Sequence, residues 1–133
     1  WAMSEENVEI VRAAIDAYNR GDGEGAFRDA STGLEYDLSR TTGPWRGTYG
    51  LDQARVIYEE FVGMWSSARA EPHEFIEVGD DVIVPWTARM VGRDGIEVEV
   101  RVAWTFTIRD RKIERICYYQ GKAEALEAAG LSD

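Results

Sequence analysis

Cysteine and histidine are nearly absent from the 133-residue sequence, which holds only Cys117 and His73 of these two types. One cysteine excludes a disulfide within the chain, and one cysteine with one histidine excludes an ordinary zinc site built by a single chain. No acidic loop has the ligand spacing of a known calcium or magnesium site. We therefore predict neither a metal nor another cofactor.

Long apolar runs are also missing, because none approaches the roughly 20 residues of a membrane-spanning helix. No leader with a basic, then an apolar, then a small-residue region is recognisable. We therefore expect a cytoplasmic protein that does not contact a membrane.

Basic residues are outnumbered, since Lys and Arg total 15 against 25 Asp and Glu, for a formal net charge of −10. Such a surface repels phosphate, which argues against nucleic-acid binding. Hydrophobic residues at 44% and charged residues at 30% are the balance of a globular protein. The length suits one domain, which we predict over residues 3–133, with Trp1 and Ala2 as an expression remnant ahead of Met3.

Helical spacing of apolar side chains predicts three helices in the N-terminal half. The first ends at Gly21-Asp22-Gly23, the second is a short helix over residues 24–30, and the third carries an aromatic stripe that ends at Trp65. Between the second and third helices, residues 34–39 alternate between apolar and polar side chains, which predicts a strand.

After Ala70 the apolar period changes to two, which predicts a four-stranded antiparallel meander followed by a short helix. The predicted strands cover residues 70–78, 82–91, 96–109 and 112–120, and the helix covers residues 122–129. Even-numbered residues from Ile96 to Ile108 are apolar, so we expect them to face a hollow between sheet and helices. A strand this long is expected to coil and to contain a bulge.

Four short motifs occur in an order and spacing that resemble those of the nuclear transport factor 2-like superfamily, most closely its SnoaL-like proteins. They are Tyr18-Asn19-Arg20-Gly21-Asp22, Leu34-Glu35-Tyr36-Asp37, Trp45-Arg46-Gly47 with Gly50, and Arg109-Asp110-Arg111-Lys112-Ile113. In the last motif Arg111 replaces the usual glycine.

The resemblance implies an α+β fold. A strongly coiled, mostly antiparallel sheet would form a conical barrel, closed by three N-terminal helices and followed by a short C-terminal helix. It also implies an apolar pocket and, commonly, a homodimer. It does not imply one reaction, because members include isomerases, epoxide hydrolases, dehydratases, polyketide cyclases and non-catalytic binders.

The catalytic groups of two known chemistries are missing at the matching positions. Where steroid isomerases of the family have a carboxylate base, a tyrosine and a protonated aspartate, this chain has Tyr36, Ala14 and Trp104. The final aspartate of limonene epoxide hydrolases matches Tyr118, and Thr87-Ala88-Arg89 lacks their Arg-x-Asp pattern. The aspartate of SnoaL-type cyclases has no clear counterpart.

Four residues remain as catalytic candidates. Asp37 precedes a Gly-Pro loop near the expected pocket mouth, where an aromatic wall would raise its pKa and make it a base. His73 is the one side chain that ordinarily titrates near neutral pH. Tyr36 and Tyr118 could polarise a ligand oxygen. The alternatives are a solvated acid, a surface histidine, and phenols paired with backbone or water.

Apolar side chains of the expected pocket are the candidates for ligand contact. They are Tyr58, Phe61, Trp65, Trp86, Val102, Trp104, Phe106 and Ile116. Alternatively, they simply fill the core. The first functional hypothesis is a cofactor-independent acid/base enzyme, of isomerase, cyclase, dehydratase or hydrolase type, acting on a small hydrophobic compound. The second is a non-catalytic binding protein for a hydrophobic or aromatic ligand, and the third is a protein-interaction module.

Overall fold

The computed structural model describes residues 2–131, and side chains from Glu5 onward. Trp1, Ser132 and Asp133 lie outside the described residues. The expected remnant at Trp1 and the last two residues of the predicted domain therefore also lie outside them.

Four helices and seven strands make up the described part of the chain. The helices are α1 (Ala2–Asn19), α2 (Gly23–Ala26), α3 (Leu51–Gly63) and α4 (Lys122–Ala128). The strands are β1 (Ala30–Asp37), β2 (Thr48–Tyr49), β3 (Ser67–Pro72), β4 (Ile76–Val78), β5 (Asp81–Val91), β6 (Glu97–Arg109) and β7 (Lys112–Tyr119). The predicted α+β class, with three N-terminal helices and a short C-terminal helix, is confirmed.

The strands form one curled sheet in the order β2-β1-β7-β6-β5-β3, with β4 also paired to β5. Every pair is antiparallel except β1 with β7. The predicted meander is present, and the sheet is unclosed, because β2 and β3 are its edge strands. The strand predicted over residues 70–78 is interrupted, since Pro72 pairs with Trp86 but Ile76 pairs with Ile83. One extra residue therefore separates β3 from β4, as in a bulge.

The sheet has two faces with different coverings. Its concave face packs against α1, α2 and α3 and forms the larger core, which includes Val11, Ile15, Val84 and Phe106. Its convex face is partly covered by α4. The buried cluster there consists of Ile83, Ala103, Cys117, Tyr119, Ala125 and Leu126. Successive strand residues point to opposite faces, so β5, β6 and β7 each contribute to both cores.

The register of β6 matches the prediction except at its start. Val102, Trp104, Phe106 and Ile108 are buried on the concave side. The expectation for Ile96 is wrong, because this side chain is 63% exposed and precedes the strand. The last β5–β6 pair is Val91 with Glu97, so Ile96 lies beyond the paired part of the sheet.

The expected bulge does not lie on β6. Thr107 pairs with Arg115 and Ile108 pairs with Ile113, so the extra residue is Glu114 on β7. This shift lets both Ile113 and Ile116 reach the concave core although their numbers differ in parity.

Two non-glycine residues form the β6–β7 turn in the left-handed region, Asp110 at φ 51° and Arg111 at φ 65°. A two-residue hairpin turn of this type favours glycine at its second position. Aspartate tolerates the conformation, whereas it strains a residue such as arginine by about 1 kcal/mol.

We expect Arg111→Gly to raise the free energy of unfolding by about 0.5–1 kcal/mol, because the relieved strain outweighs an exposed ion pair. That pair joins Arg111 to Glu6 at 3.2 Å. Urea denaturation followed by circular dichroism measures the change. Arg111→Ala is the control, since it removes the same ion pair but keeps the strained backbone. A glycine variant less stable than the wild type contradicts the prediction.

Candidate functional site

A cavity of about 340 Å³ lies between the concave face of the sheet and the helices. We call it the main cavity. Its walls come from α1, α3, the strands β1, β5, β6 and β7, and the loop after β1. This volume falls within the usual range of small-molecule sites. Of the seven even-numbered residues of the β6 pattern, Val100 and Trp104 line the main cavity.

Stacked indole rings form one wall of the main cavity. The rings of Trp86 and Trp104 have centroids 3.9 Å apart and planes 23° apart. Tyr18 meets Trp104 edge-on at 5.8 Å. Alternation along β5 and β6 places both indoles on the concave face. Together they offer a flat apolar surface on which an aromatic ligand can stack.

Three phenol groups that line the main cavity form the tyrosine cluster, Tyr18 from α1, Tyr36 from β1 and Tyr118 from β7. The hydroxyl groups of these three residues make no hydrogen bond to any other described residue, whereas the Tyr58 hydroxyl donates to the Tyr18 carbonyl oxygen at 2.8 Å. Three hydrogen-bond donors in one apolar cavity are thus left for a ligand.

The tyrosine cluster is protonated at neutral pH, and burial raises the pKa of its phenols further above their ordinary value. Burial, and then the neighbouring Tyr118, raise the pKa of Tyr36 to about 12. Burial, followed by Tyr36, Tyr58 and Tyr118, also raises the pKa of Tyr18. Burial alone raises the pKa of Tyr118. At neutral pH these phenols therefore donate hydrogen bonds and do not act as bases.

The loop over residues 38–47, which we call the roof loop, closes one side of the main cavity through Leu38 and residues 41–45. Its two ends meet where the Leu38 amide donates to the Gly47 carbonyl at 2.7 Å. The Trp45 indole nitrogen donates to Glu60 on α3 at 3.1 Å. The loop is thus tied both to itself and to a helix, although its sequence predicted only irregular structure.

Asp37 lies on the convex side, away from the main cavity, and is only 6% exposed. Its carboxylate accepts hydrogen bonds from Arg115 at 2.9 Å and from the Ser39 amide and hydroxyl at 2.9 and 2.6 Å. Burial alone would raise its pKa, but the bonds from Ser39, the contact with Cys117 and the charge of Arg115 lower it to about 2. The expected rise in the pKa of Asp37 is therefore wrong.

His73 also lies outside the main cavity. It is exposed, and its Nε2 atom is 2.7 Å from the hydroxyl oxygen of Thr87. Thr87 is an odd-numbered residue of β5 and therefore faces away from Trp86 and the cavity wall. His73 therefore has the surface position that the sequence analysis gave as its alternative.

The candidate ligand contacts divide into three groups. Tyr58, Phe61, Trp86 and Trp104 line the main cavity, together with Tyr36 and Tyr118. Phe106 and Ile116 line a smaller cavity of about 30 Å³ beside it. Trp65 and Val102 line neither, because Trp65 packs at the edge of Phe61 and Val102 is buried in the core.

Sequence reasoning missed several lining residues. Tyr18 is the most important, and its signal was present, because it continues the apolar stripe of α1 one turn after Ile15. Trp45 and Gln120 come from a loop and a strand end, where no periodicity shows the direction of a side chain.

The SnoaL-like domain model matches residues 11–116, which is most of the chain. The chain therefore belongs to the SnoaL-like family, and the resemblance seen in its four motifs is confirmed. Among curated proteins, none matches the chain by sequence.

Solved structures share the fold at low sequence identity. A nuclear transport factor 2-like protein of unknown function from Burkholderia pseudomallei is 20% identical, with a TM-score of 0.75 over 92% of this chain and 95% of that chain. TerC co-crystallised with polyporic acid is 21% identical, with a TM-score of 0.73 over 93% and 97%. A protein with a ketosteroid isomerase-like fold from Catenulispora acidiphila, in complex with trimethylamine, is 17% identical, with a TM-score of 0.74 over 92% and 93%.

Two further findings concern residues 2–131. None of the helices there is both long and apolar enough to cross a membrane. In the same residues, histidine, cysteine and acidic side chains do not gather in groups of three that could hold a metal ion.

We expect Asp37→Asn to lower the free energy of unfolding at pH 7 by about 1–3 kcal/mol, because Arg115 loses its buried charged partner. A carboxyl whose pKa is lower in the folded than in the unfolded state stabilises the protein at pH values above its unfolded-state pKa. This contribution is lost as the pH falls through its folded-state pKa. The difference between wild type and variant should therefore stay constant from neutral pH to about 5 and shrink as the pH falls from about 4 to 2.

Glu35→Gln is the matched control, since Glu35 binds the same Arg115 at 3.0 Å but is half exposed. Its effect should stay below about 1 kcal/mol. Urea denaturation at several pH values measures both variants. If the two substitutions lowered the free energy of unfolding equally, the assignment of the buried charge to Asp37 would be contradicted.

Proposed function

We propose that the protein binds a flat, hydrophobic small molecule and holds an acceptor oxygen of that molecule, such as a carbonyl oxygen, with the tyrosine cluster. The observation that carries this proposal is the set of three unpartnered phenol donors in a cavity walled by stacked indoles. An acceptor oxygen satisfies the donors, and an aromatic body covers the indole wall.

The composition of the wall favours binding over acid/base catalysis. Among the described residues that line the main cavity, none is an aspartate, glutamate, histidine, lysine or arginine. The phenols have raised pKa values and do not accept protons at neutral pH. The non-catalytic hypothesis therefore has the better support, and the proton-transfer roles predicted for Asp37 and His73 have no place in the proposed site.

The second candidate function is a cofactor-independent enzyme, favoured by the same unpaired donors. Phenols that bind a carbonyl oxygen bind the corresponding enolate more strongly, because negative charge develops on that oxygen. Tyr36 and Tyr118 would then stabilise the oxygen, and the proton would leave to water or to another group of the ligand. An isomerase or a cyclase works on this principle.

Small-molecule binding as such has two parallels among the solved structures. The Catenulispora acidiphila protein is in complex with trimethylamine. TerC, which shares this fold, was co-crystallised with an organic compound, polyporic acid.

The homodimer and the cytoplasmic location stay predictions, and sedimentation velocity measures the oligomeric state directly.

A fluorescent aryl ketone, 6-acetyl-2-(dimethylamino)naphthalene, tests the proposed function. It is flat and apolar, it offers one carbonyl oxygen, and its emission responds to hydrogen bonds at that oxygen. We expect binding to the wild type, and a loss of about 2- to 10-fold in affinity for each of Tyr18→Phe, Tyr36→Phe and Tyr118→Phe, since each removes one donor. The emission of the ketone bound to each variant should also lie at a shorter wavelength than that of the ketone bound to the wild type.

Tyr119→Phe is the matched control, because Tyr119 neighbours Tyr118 on β7 but is buried on the convex face. It should leave the affinity unchanged, whereas the loss of one hydrogen bond in the tyrosine cluster lowers it by about 2- to 10-fold. Failure of the ketone to bind, or equal binding by the wild type and the triple tyrosine variant, would overturn the proposed function. Deuterium exchange of the acetyl protons in D₂O separates the two candidates, because only an enolising enzyme accelerates it.

A further inference from the structure

A smaller cavity of about 30 Å³, which we call the inner cavity, adjoins the main cavity. The two share four lining side chains, Tyr18, Tyr36, Tyr58 and Trp104. The remaining lining residues of the inner cavity are all apolar and come from α1, α2, the residue Phe27 that follows α2, β6 and β7. The inner cavity therefore lies beside the main cavity, between the helices α1 and α2 and the concave face of the sheet.

The size and chemistry of the inner cavity suit a short alkyl group. Its volume has room for about one or two carbon atoms, since a water molecule occupies a similar space. Water gains little there once a ligand oxygen binds the Tyr18 and Tyr36 hydroxyls, because a stable buried water needs two or more polar partners. The walls are then apolar apart from Trp104 and Tyr58, whose hydroxyl already donates to the Tyr18 carbonyl oxygen. A methyl or ethyl group instead gains dispersion contacts with every wall.

Two alanines set the size of the inner cavity. Ala14 on α1 and Ala26 on α2 both line it, and each contributes only a Cβ atom. A larger side chain at either position would fill the space. The helices pack against the sheet at these points, so the cavity exists because small residues occur there.

We propose that the inner cavity is an alkyl subsite, and that the ligand carries a methyl or ethyl group on the same carbon as its acceptor oxygen. This inference rests on the proposed function, because the tyrosine cluster must hold the oxygen. Tyr18 and Tyr36 line both cavities, so the two cavities meet at these side chains. An oxygen held by their hydroxyls at this boundary would place its alkyl neighbour in the inner cavity. Aryl methyl and aryl ethyl ketones are the ligand class that fits.

A series of 6-acyl-2-(dimethylamino)naphthalenes tests the subsite, with formyl, acetyl, propionyl and butyryl groups as the acyl part. We expect the affinity of the wild type to rise about fourfold for each carbon from formyl to propionyl. It should not rise further with butyryl, because the inner cavity is then full. Fluorescence titration measures all four dissociation constants.

Ala14→Val should weaken propionyl binding by about 16-fold, which is the gain expected from two carbons at about fourfold each, and leave the formyl compound within twofold. Ala13→Val is the matched control, since Ala13 is an exposed neighbour on the same helix. The substitution there has the same cost in helix propensity. It should leave all four affinities unchanged. If the Ala14→Val variant fails to fold, the four dissociation constants of the wild type still test the subsite.

The outcomes separate this inference from the proposed function. If none of the four compounds binds, the proposed function is overturned and the alkyl subsite with it. If all four bind with equal affinity, or if Ala14→Val weakens all of them alike, the alkyl subsite alone is overturned. A chain-length optimum that disappears in Ala14→Val but not in Ala13→Val supports it.

Discussion

The alternation of side chains across a strand is the constraint on which the rest of this structure depends. Tyr36 and Asp37 are neighbours on β1, and Tyr118 and Cys117 are neighbours on β7, yet each pair divides between the two faces of the sheet. The phenols therefore reach the concave face, and the carboxylate and the thiol reach the convex face. A shift of one residue in either strand would exchange an uncharged cavity for a charged one.

The convex network supports the cavity without lining it. The Asp37 carboxylate binds Ser39 and Arg115, and Arg40 lies over the Tyr119 ring at 4.8 Å. Gln120, which lines the main cavity, donates a hydrogen bond to the Arg40 carbonyl oxygen. These contacts fix the first residues of the roof loop to β7. The charged groups on the convex face thus hold the end of β1 and the start of the roof loop, which closes one side of the main cavity.

Charge is distributed unevenly between surface and site. The chain has a formal net charge of −10, but no charged side chain lines the main cavity within the described residues. Recognition in such a site depends on neutral donors and aromatic contact, both of which are strong when water is excluded. An anionic ligand would be disfavoured by the field of the whole protein, and a neutral carbonyl compound would not.

Local patterns in the sequence determined the α+β class, the meander, the apolar face of β6 and the family, because each depends on residues close together in the chain. They also placed Tyr36, Trp86, Trp104 and Tyr118 on one face. Only the tertiary structure decided that Asp37 is paired on the convex side, that Tyr18 joins Tyr36 and Tyr118, and that the roof loop closes the cavity. Those arrangements join residues up to 100 positions apart, such as Tyr18 and Tyr118, and a sequence pattern carries no information about such distances.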